Sequence, residues 1–180
     1  ILIWPVTVVI IVIVLRVPLA ALLRSTRRVR YRGFEVEFSQ QLQKISAETR
    51  SLPESGGGGG GNDSAAEQRS VNVDLEDLAD SAPNAAVVEA WRSLEAQAKA
   101  LIRSRGHDVT FDGDKPYKLM QDILVGDRII DEPSGKAFDD LRKLRNKVVH
   151  ADGFRVSPEL AKEYVELASR LRAHMARLAR

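Results

Sequence analysis

The sequence predicts an all-α protein: an N-terminal transmembrane helix, a flexible glycine-rich linker and an antiparallel four-helix bundle. Three observations predict this architecture. Residues 1–23 are almost wholly apolar, six consecutive glycines occupy 56–61, and apolar residues recur at helical spacing through most of 83–178. Because the helical region spans about a hundred residues, it is long enough to bury its own core.

Composition divides the chain into four parts. They are a transmembrane segment at 1–23, a basic juxtamembrane region at 24–50, a disordered linker at 51–70 and a cytosolic bundle at 71–180. Residues 1–50 carry eight Lys and Arg against three Glu, whereas residues 72–180 carry 18 Lys and Arg against 19 Asp and Glu. The basic pI therefore belongs to the N-terminal region and says little about nucleic-acid binding.

The first 23 residues predict a membrane span. As one helix they would be about 34 Å long, enough to cross a bilayer, although Arg16 and Pro18 interrupt the run. The chain begins without Met, so an alternative is a span that starts upstream of Ile1 and ends near Leu15, with Arg16 snorkelling to the interface. A cleaved signal peptide is disfavoured because no basic n-region precedes the run and no A-x-A site follows it.

Five arginines follow the apolar run within nine residues: Arg24, Arg27, Arg28, Arg30 and Arg32. Such a cluster marks the cytoplasmic side of a span, and a topology signal alone is enough to explain it. It would also attract anionic lipid headgroups, by about 1 kcal/mol per basic residue near the surface. We therefore expect a single-pass protein of the cell membrane, with its C-terminal domain in the cytoplasm and the lipid bilayer as a partner.

Two short elements are predicted between the arginines and the linker. Residues 34–38 alternate apolar and acidic side chains, as in a half-buried strand, which would pair with the valines of 71–73 or with a second subunit. Residues 40–48 predict a short helix with Leu42 and Ile45 on one side. The glycine-rich linker that follows is typical of a flexible coil, and it would let the bundle move relative to the membrane.

Four main helices are predicted in the bundle, after a short leading helix at 74–80. The first begins at Pro83 and ends at Gly106, with one apolar side formed by Val87, Trp91, Leu94, Ala98 and Leu101. A shorter helix covers 116–125, and a turn at 131–135 leads into the third helix, which ends before Gly153. The last begins at a cap formed by Ser157 and Pro158, and its apolar residues recur at helical spacing: Leu160, Tyr164, Leu167, Leu171, Met175 and Leu178.

The third helix carries the polar residues that we consider as a candidate functional site. Its apolar residues Phe138, Leu141, Leu144 and Val148 would face the core. Asn146 and His150 are four residues apart and share a face, with Arg142 a turn earlier. Arg145 lies about 140° around the helix from His150, so the two meet only if the arginine leans across or if a second copy supplies one of them.

These residues resemble the R-x(4–6)-H motif of HEPN domains: Arg145 and His150 are the motif residues, and Asn146 is the polar residue directly after the arginine. The resemblance covers about 83–180 and implies a HEPN-like bundle that forms a homodimer and binds RNA or nucleotide. It also implies metal-independent RNA cleavage without a cofactor, in which the ribose 2′-hydroxyl attacks. His150 would then be the acid or base, Arg145 the phosphate-stabilising cation and Asn146 a positioning residue.

A second interpretation stays open. A histidine near a helix C-terminus interacts favourably with the helix dipole, and Arg or Asn at a bundle edge commonly bonds to an acid on a neighbouring helix. The bundle is slightly acidic, whereas nucleic-acid binders usually present a basic surface. The alternative function is therefore a non-catalytic module that dimerises or recruits a protein partner at the membrane. No metal site is predicted, and the absence of cysteine excludes thiolate ligands.

Overall fold

The computed structural model describes residues 35–50, 74–111, 116–151 and 153–180. These residues form six helices and no strand: α1 at 35–49, α2 at 74–81, α3 at Pro83–Ser104, α4 at Pro116–Gly126, α5 at Glu132–His150 and α6 at Pro158–Leu178. The prediction of an all-α protein is confirmed for this part of the chain. The described residues from Phe38 to Arg180 belong to one compact unit, a helical bundle.

The core lies around α3, which packs most extensively against α6 and also contacts α4 and α5. Its side chains Val87, Leu94 and Leu101 are fully buried, as are Leu141 of α5 and Leu171 of α6. Burying one such side chain contributes about 1.5–3 kcal/mol, so these apolar stripes hold the helices together. The helical spacing of apolar residues that predicted α3, α5 and α6 is also the spacing of the residues that these helices bury.

Local signals set the helix ends. Pro83 and Pro158 occupy first-turn positions, and the Ser157 hydroxyl accepts a hydrogen bond from the backbone N–H of Leu160 at 3.4 Å. Such a cap contributes about 1 kcal/mol. After α3 the chain turns at Gly106, whose φ of 85° is the left-handed conformation that glycine adopts without strain.

The predicted turn at 131–135 is wrong, because α5 begins at Glu132. The Asp131 side chain caps the helix by accepting from the backbone N–H of Ser134 at 3.2 Å. Gly135 suggested a turn, but it lies inside the helix where α5 approaches α4. A Cβ at this position would overlap the side chain of Val125, so the glycine allows close packing.

The predicted strand at 34–38 is also wrong for the described residues, since α1 covers 35–49. Phe38, Leu42 and Ile45 recur by four and three and are buried. The Phe38 ring lies 6.2 Å from the Phe154 ring and 6.4 Å from the Tyr164 ring. Burial of this helical face favours a helix over the strand that the five alternating residues predicted. The short helix predicted at 40–48 is confirmed.

The compact unit therefore begins at Phe38, upstream of the bundle boundary predicted at residue 71. An ion pair between Glu48 of α1 and Lys136 of α5 adds a polar contact to the buried face. The linker predicted at 51–70 lies outside the described residues.

The predicted membrane span at 1–23 lies outside the described residues. Among the helices that the structure describes, none is both long enough and apolar enough to cross a bilayer.

We predict that α1 is a structural part of the bundle. Leu42→Ala should lower the free energy of unfolding by about 2–5 kcal/mol, because it removes a fully buried side chain and leaves a cavity. Gln43→Ala, at an exposed position of the same helix, should change it little. Denaturant unfolding of the full-length chain measures both, and equal stability of the two variants would exclude α1 from the core.

Candidate functional site

The apolar face of α5 fixes which of its polar residues reach the surface. Phe138, Leu141 and Leu144 are fully buried, and the Phe138 ring lies 4.9 Å from the ring of Trp91 and 6.0 Å from that of Tyr117. Rotating the helix would expose these groups. Its cationic and amide side chains are therefore held along the two flanks of the buried face.

Arg145 is half-buried and held by its neighbour. Its Nη1 donates a hydrogen bond to Oδ1 of Asn146 at 3.0 Å, while its buried Nε has no hydrogen-bond partner. The guanidinium is close enough to Tyr164 for its charge to act on that hydroxyl. Burial raises the pKa of Tyr164, and the charge of Arg145 opposes the rise. The hydroxyl itself donates to the carbonyl of Leu141 at 3.0 Å.

No carboxylate among the described residues pairs with Arg145. The two cations before it on α5 are paired: Arg142 bonds to Asp139 at 3.0 Å, and Lys143 contacts Asp139 at 2.6 Å and Asp140 at 3.1 Å. Arg145 is thus a partly desolvated cation without a counter-ion in the described part of the chain. Such a group attracts an external anion.

Arg142 is held in a structural network. Its guanidinium lies 3.7 Å from the centre of the Tyr117 ring, a cation–π contact. The Tyr117 hydroxyl lies 2.8 Å from Oδ1 of Asp139 and 2.7 Å from Oε1 of Gln121. Burial, followed by the hydrogen bond with Asp139, raises the pKa of Tyr117 well above its ordinary range. We therefore assign Arg142 to the link between α4 and α5.

His150 is the last residue of α5 and is exposed. Its imidazole makes no hydrogen bond or ion pair with any other described residue. Arg145 lines a concavity beside α3 to which His150 does not contribute. The structure therefore joins Arg145 to Asn146 but does not bring His150 into the same concavity within one chain.

The concavity beside Arg145 has a volume of about 500 Å³. The other described residues that line it all lie on α3: Val88, Glu89, Trp91, Arg92, Glu95, Ala96 and Lys99. Trp91, which the sequence places on the apolar side of this helix, is buried with 4% exposure. The α3 half of the concavity was not predicted, because it depends on how two helices pack. In the sequence, the feature that could have indicated this half was the pair of Glu95 and Lys99, which lie one helical turn apart beside Trp91.

The other two histidines lie elsewhere. His107 contacts Asp127 at 3.4 Å. His174 lines a second concavity with Arg128, Asp131 and Glu132, and burial is the main cause that lowers its pKa. Within the described ranges, no three His, Asp or Glu side chains come together as metal ligands.

The five arginines assigned to the membrane surface, Arg24 to Arg32, lie outside the described residues.

Comparison of the whole chain with protein-family models, with curated proteins and with solved structures gives no match. The resemblance to HEPN domains therefore stays a prediction from the sequence motif of Arg145, Asn146 and His150.

We predict that Asp139 makes stability depend on pH. Burial alone would raise its pKa, but hydrogen bonds from Lys143, Arg142 and Tyr117 outweigh burial and lower the pKa below the ordinary value of 3.8. The native state then favours the ionised form. The resulting stability is present above pH 3.8 and is lost as the pH falls from there through the lower pKa of the folded state.

Asp139→Asn should therefore be less stable than the parent chain at neutral pH, and the difference should shrink at acidic pH. Unfolding free energies measured across the acidic range test this. Asp122→Asn, at an exposed position of α4, is the control and should track the parent chain. A difference for Asp139→Asn that does not change with pH would contradict the assignment.

Proposed function

We propose that this chain is a single-pass membrane protein whose cytoplasmic bundle binds single-stranded RNA through Arg145. The observation that carries the proposal is the state of this arginine: half-buried, oriented by Asn146 and without a carboxylate partner in the described chain. A structural arginine at this depth would ordinarily be paired, as Arg142 is.

The chemistry of the guanidinium favours a phosphate ligand. Its planar donors match two oxygens of a phosphodiester, and a charge-assisted hydrogen bond of this kind contributes about 1.5–3 kcal/mol. Desolvating a cation without a partner is costly. A bound phosphate would offset that cost and would supply an acceptor for donors that Asn146 leaves unused.

The choice of RNA comes from the sequence motif. Arg145, Asn146 and His150 match the HEPN pattern on the third main helix of a bundle, and the order of α3 to α6 is compatible with the HEPN-like architecture. In that family the motif cleaves RNA without a metal. The ribose 2′-hydroxyl would then attack the adjacent phosphorus, which forms a 2′,3′-cyclic phosphate as the bond from phosphorus to the 5′-oxygen of the next nucleotide breaks. His150 would act as the acid or base, either taking the proton of the 2′-hydroxyl or donating one to the leaving 5′-oxygen, and water would serve for the other transfer.

Cleavage would require two copies of the chain. Arg145 and His150 lie five residues apart on one helix, and His150 is outside the concavity that Arg145 lines. Isologous pairing along the C-terminal part of α5 would place His150 of the partner subunit opposite Arg145. Val149, an apolar side chain with 47% exposure, would be covered by such a contact. We therefore propose a homodimer.

The membrane assignment rests on the sequence of the first 32 residues. An apolar run of 23 residues is long enough for a bilayer, and the arginines that follow it favour the cytoplasmic side for the bundle. Anionic headgroups are the lipid partners that suit this cluster.

The second candidate is a non-catalytic module that dimerises or recruits a protein partner at the membrane. His150 is exposed beside Val149 and has no hydrogen-bond or ion-pair partner among the described residues. This favours the second candidate, because a surface of this kind can serve an interface without any chemistry. Arg145 would then bind a carboxylate of the partner.

We predict that Arg145→Lys weakens binding of single-stranded RNA by about tenfold or more, because lysine cannot make the paired contact with phosphate. Fluorescence anisotropy of a labelled oligonucleotide with the full-length chain in detergent measures this. The matched control is Arg170→Lys, since Arg170 also has a buried Nε without a partner but pairs with Glu166 at 2.8 Å. Equal losses in the two variants would contradict a role for Arg145 in binding.

The same samples separate the two candidate functions. If the chain cleaves RNA in the presence of a chelator, His150→Ala should abolish cleavage and leave the melting temperature unchanged, because His150 is exposed. RNA binding without cleavage would leave the domain as a binding module. Absence of both would favour the protein-recruiting interpretation.

A further inference from the structure

The concavity between α3 and Arg145 is a groove that is partly open to solvent. Its volume of about 500 Å³ falls within the range of roughly 300–1,000 Å³ typical of pockets that hold one small ligand. A base in a duplex has its pairing edge occupied and its faces stacked, so only an unpaired nucleotide could place its base there.

Two of the cations that line the concavity pair with carboxylates, and one does not pair with any carboxylate in the described chain. Arg92 contacts Glu89 at 3.6 Å, and Lys99 contacts Glu95 at 2.7 Å. Arg145 is the lining cation that remains without an acid in the described chain. An anionic group of a ligand is therefore directed to Arg145, and its hydrogen-bond donors are directed to the carboxylates.

Glu95 is the carboxylate with the most defined orientation. Its Oε2 accepts a hydrogen bond from Nε1 of Trp91 at 3.1 Å, and Trp91 is itself held in the core beside Phe138. Its Oε1 faces Lys99. Each carboxylate oxygen can accept two hydrogen bonds, so both oxygens can accept one more donor from a ligand.

A carboxylate held in this way distinguishes the four bases by their donors. Guanine presents two donors side by side, the N1–H and the 2-amino group, which match the two oxygens of one carboxylate. Adenine and cytosine present an amino group beside a ring-nitrogen acceptor, and uracil presents its N–H between two carbonyls. In those bases an acceptor faces the carboxylate and repels it.

We infer that the concavity is a subsite for one unpaired guanine, whose edge donates to Glu95 while a phosphate of the same strand binds Arg145. Val88 and Ala96, which line the concavity with Trp91, supply apolar surface for the base. The inference rests on the proposed RNA binding and adds to it the class of substrate: single-stranded RNA with an accessible guanosine.

The test uses three oligonucleotides that are identical except at one central position, which carries guanosine, inosine or adenosine. Inosine retains the N1–H but lacks the 2-amino group. The full-length chain in detergent should bind the guanosine strand about tenfold more tightly than the inosine strand, because one hydrogen bond to a charged group is lost. The adenosine strand should bind more weakly still.

Glu95→Ala should abolish the difference between guanosine and inosine. The matched control is Glu166→Ala, which also removes the acid of a pair one helical turn apart, with Arg170, but lies outside the concavity. This variant should keep the preference. Melting temperatures of both variants verify that each remains folded.

The outcomes separate the subsite from the proposed function. If the parent chain binds all three strands equally, or if Glu95→Ala keeps the preference for guanosine, the subsite is refuted while RNA binding through Arg145 stands. If no strand binds, RNA binding itself is refuted, and the subsite with it.

Discussion

Burial of one face of α5 is the constraint on which the rest of the structure depends. Leu141 and Leu144 are fully buried, and α5 packs against α3, α4 and α6. Rotating α5 about its axis would expose several buried side chains, and each exposure would cost about 1.5–3 kcal/mol of stability. Because the rotation is fixed, Arg145 reaches the surface beside α3, and the N-terminal part of α5 carries the contacts to α1 and α4.

The distribution of acids along α5 separates structural cations from the candidate functional one. Asp139 and Asp140 neutralise Arg142 and Lys143, and Asp139 also connects them to Tyr117 of α4. Arg145, a little further along, has an amide neighbour in place of an acid. A bundle that is slightly acidic as a whole can thus hold an anion-binding group locally, so its net charge does not exclude a phosphate ligand.

What the sequence could predict followed from local periodicity. The apolar stripes of α3, α5 and α6 are long, and their burial confirms the helices that they predicted. The strand at 34–38 failed because five alternating residues are too few to distinguish a strand from one face of a helix. The contacts that decided the matter, from Phe38 to Phe154 and Tyr164, join residues more than a hundred positions apart. The α3 side of the concavity could not be predicted for the same reason, because it forms only where α3 packs beside a distant part of the chain.

The central claim is that Arg145 serves a ligand and not the fold. Its most direct test is the melting temperature of Arg145→Met, which keeps most of the side-chain volume but removes the charge and the donors. We predict a melting temperature equal to or above that of the parent chain, together with loss of RNA binding. The reason is that Arg145→Met removes a partly buried cation that has no carboxylate partner among the described residues. A fall in melting temperature as large as that of Leu144→Ala, with binding retained, would contradict it.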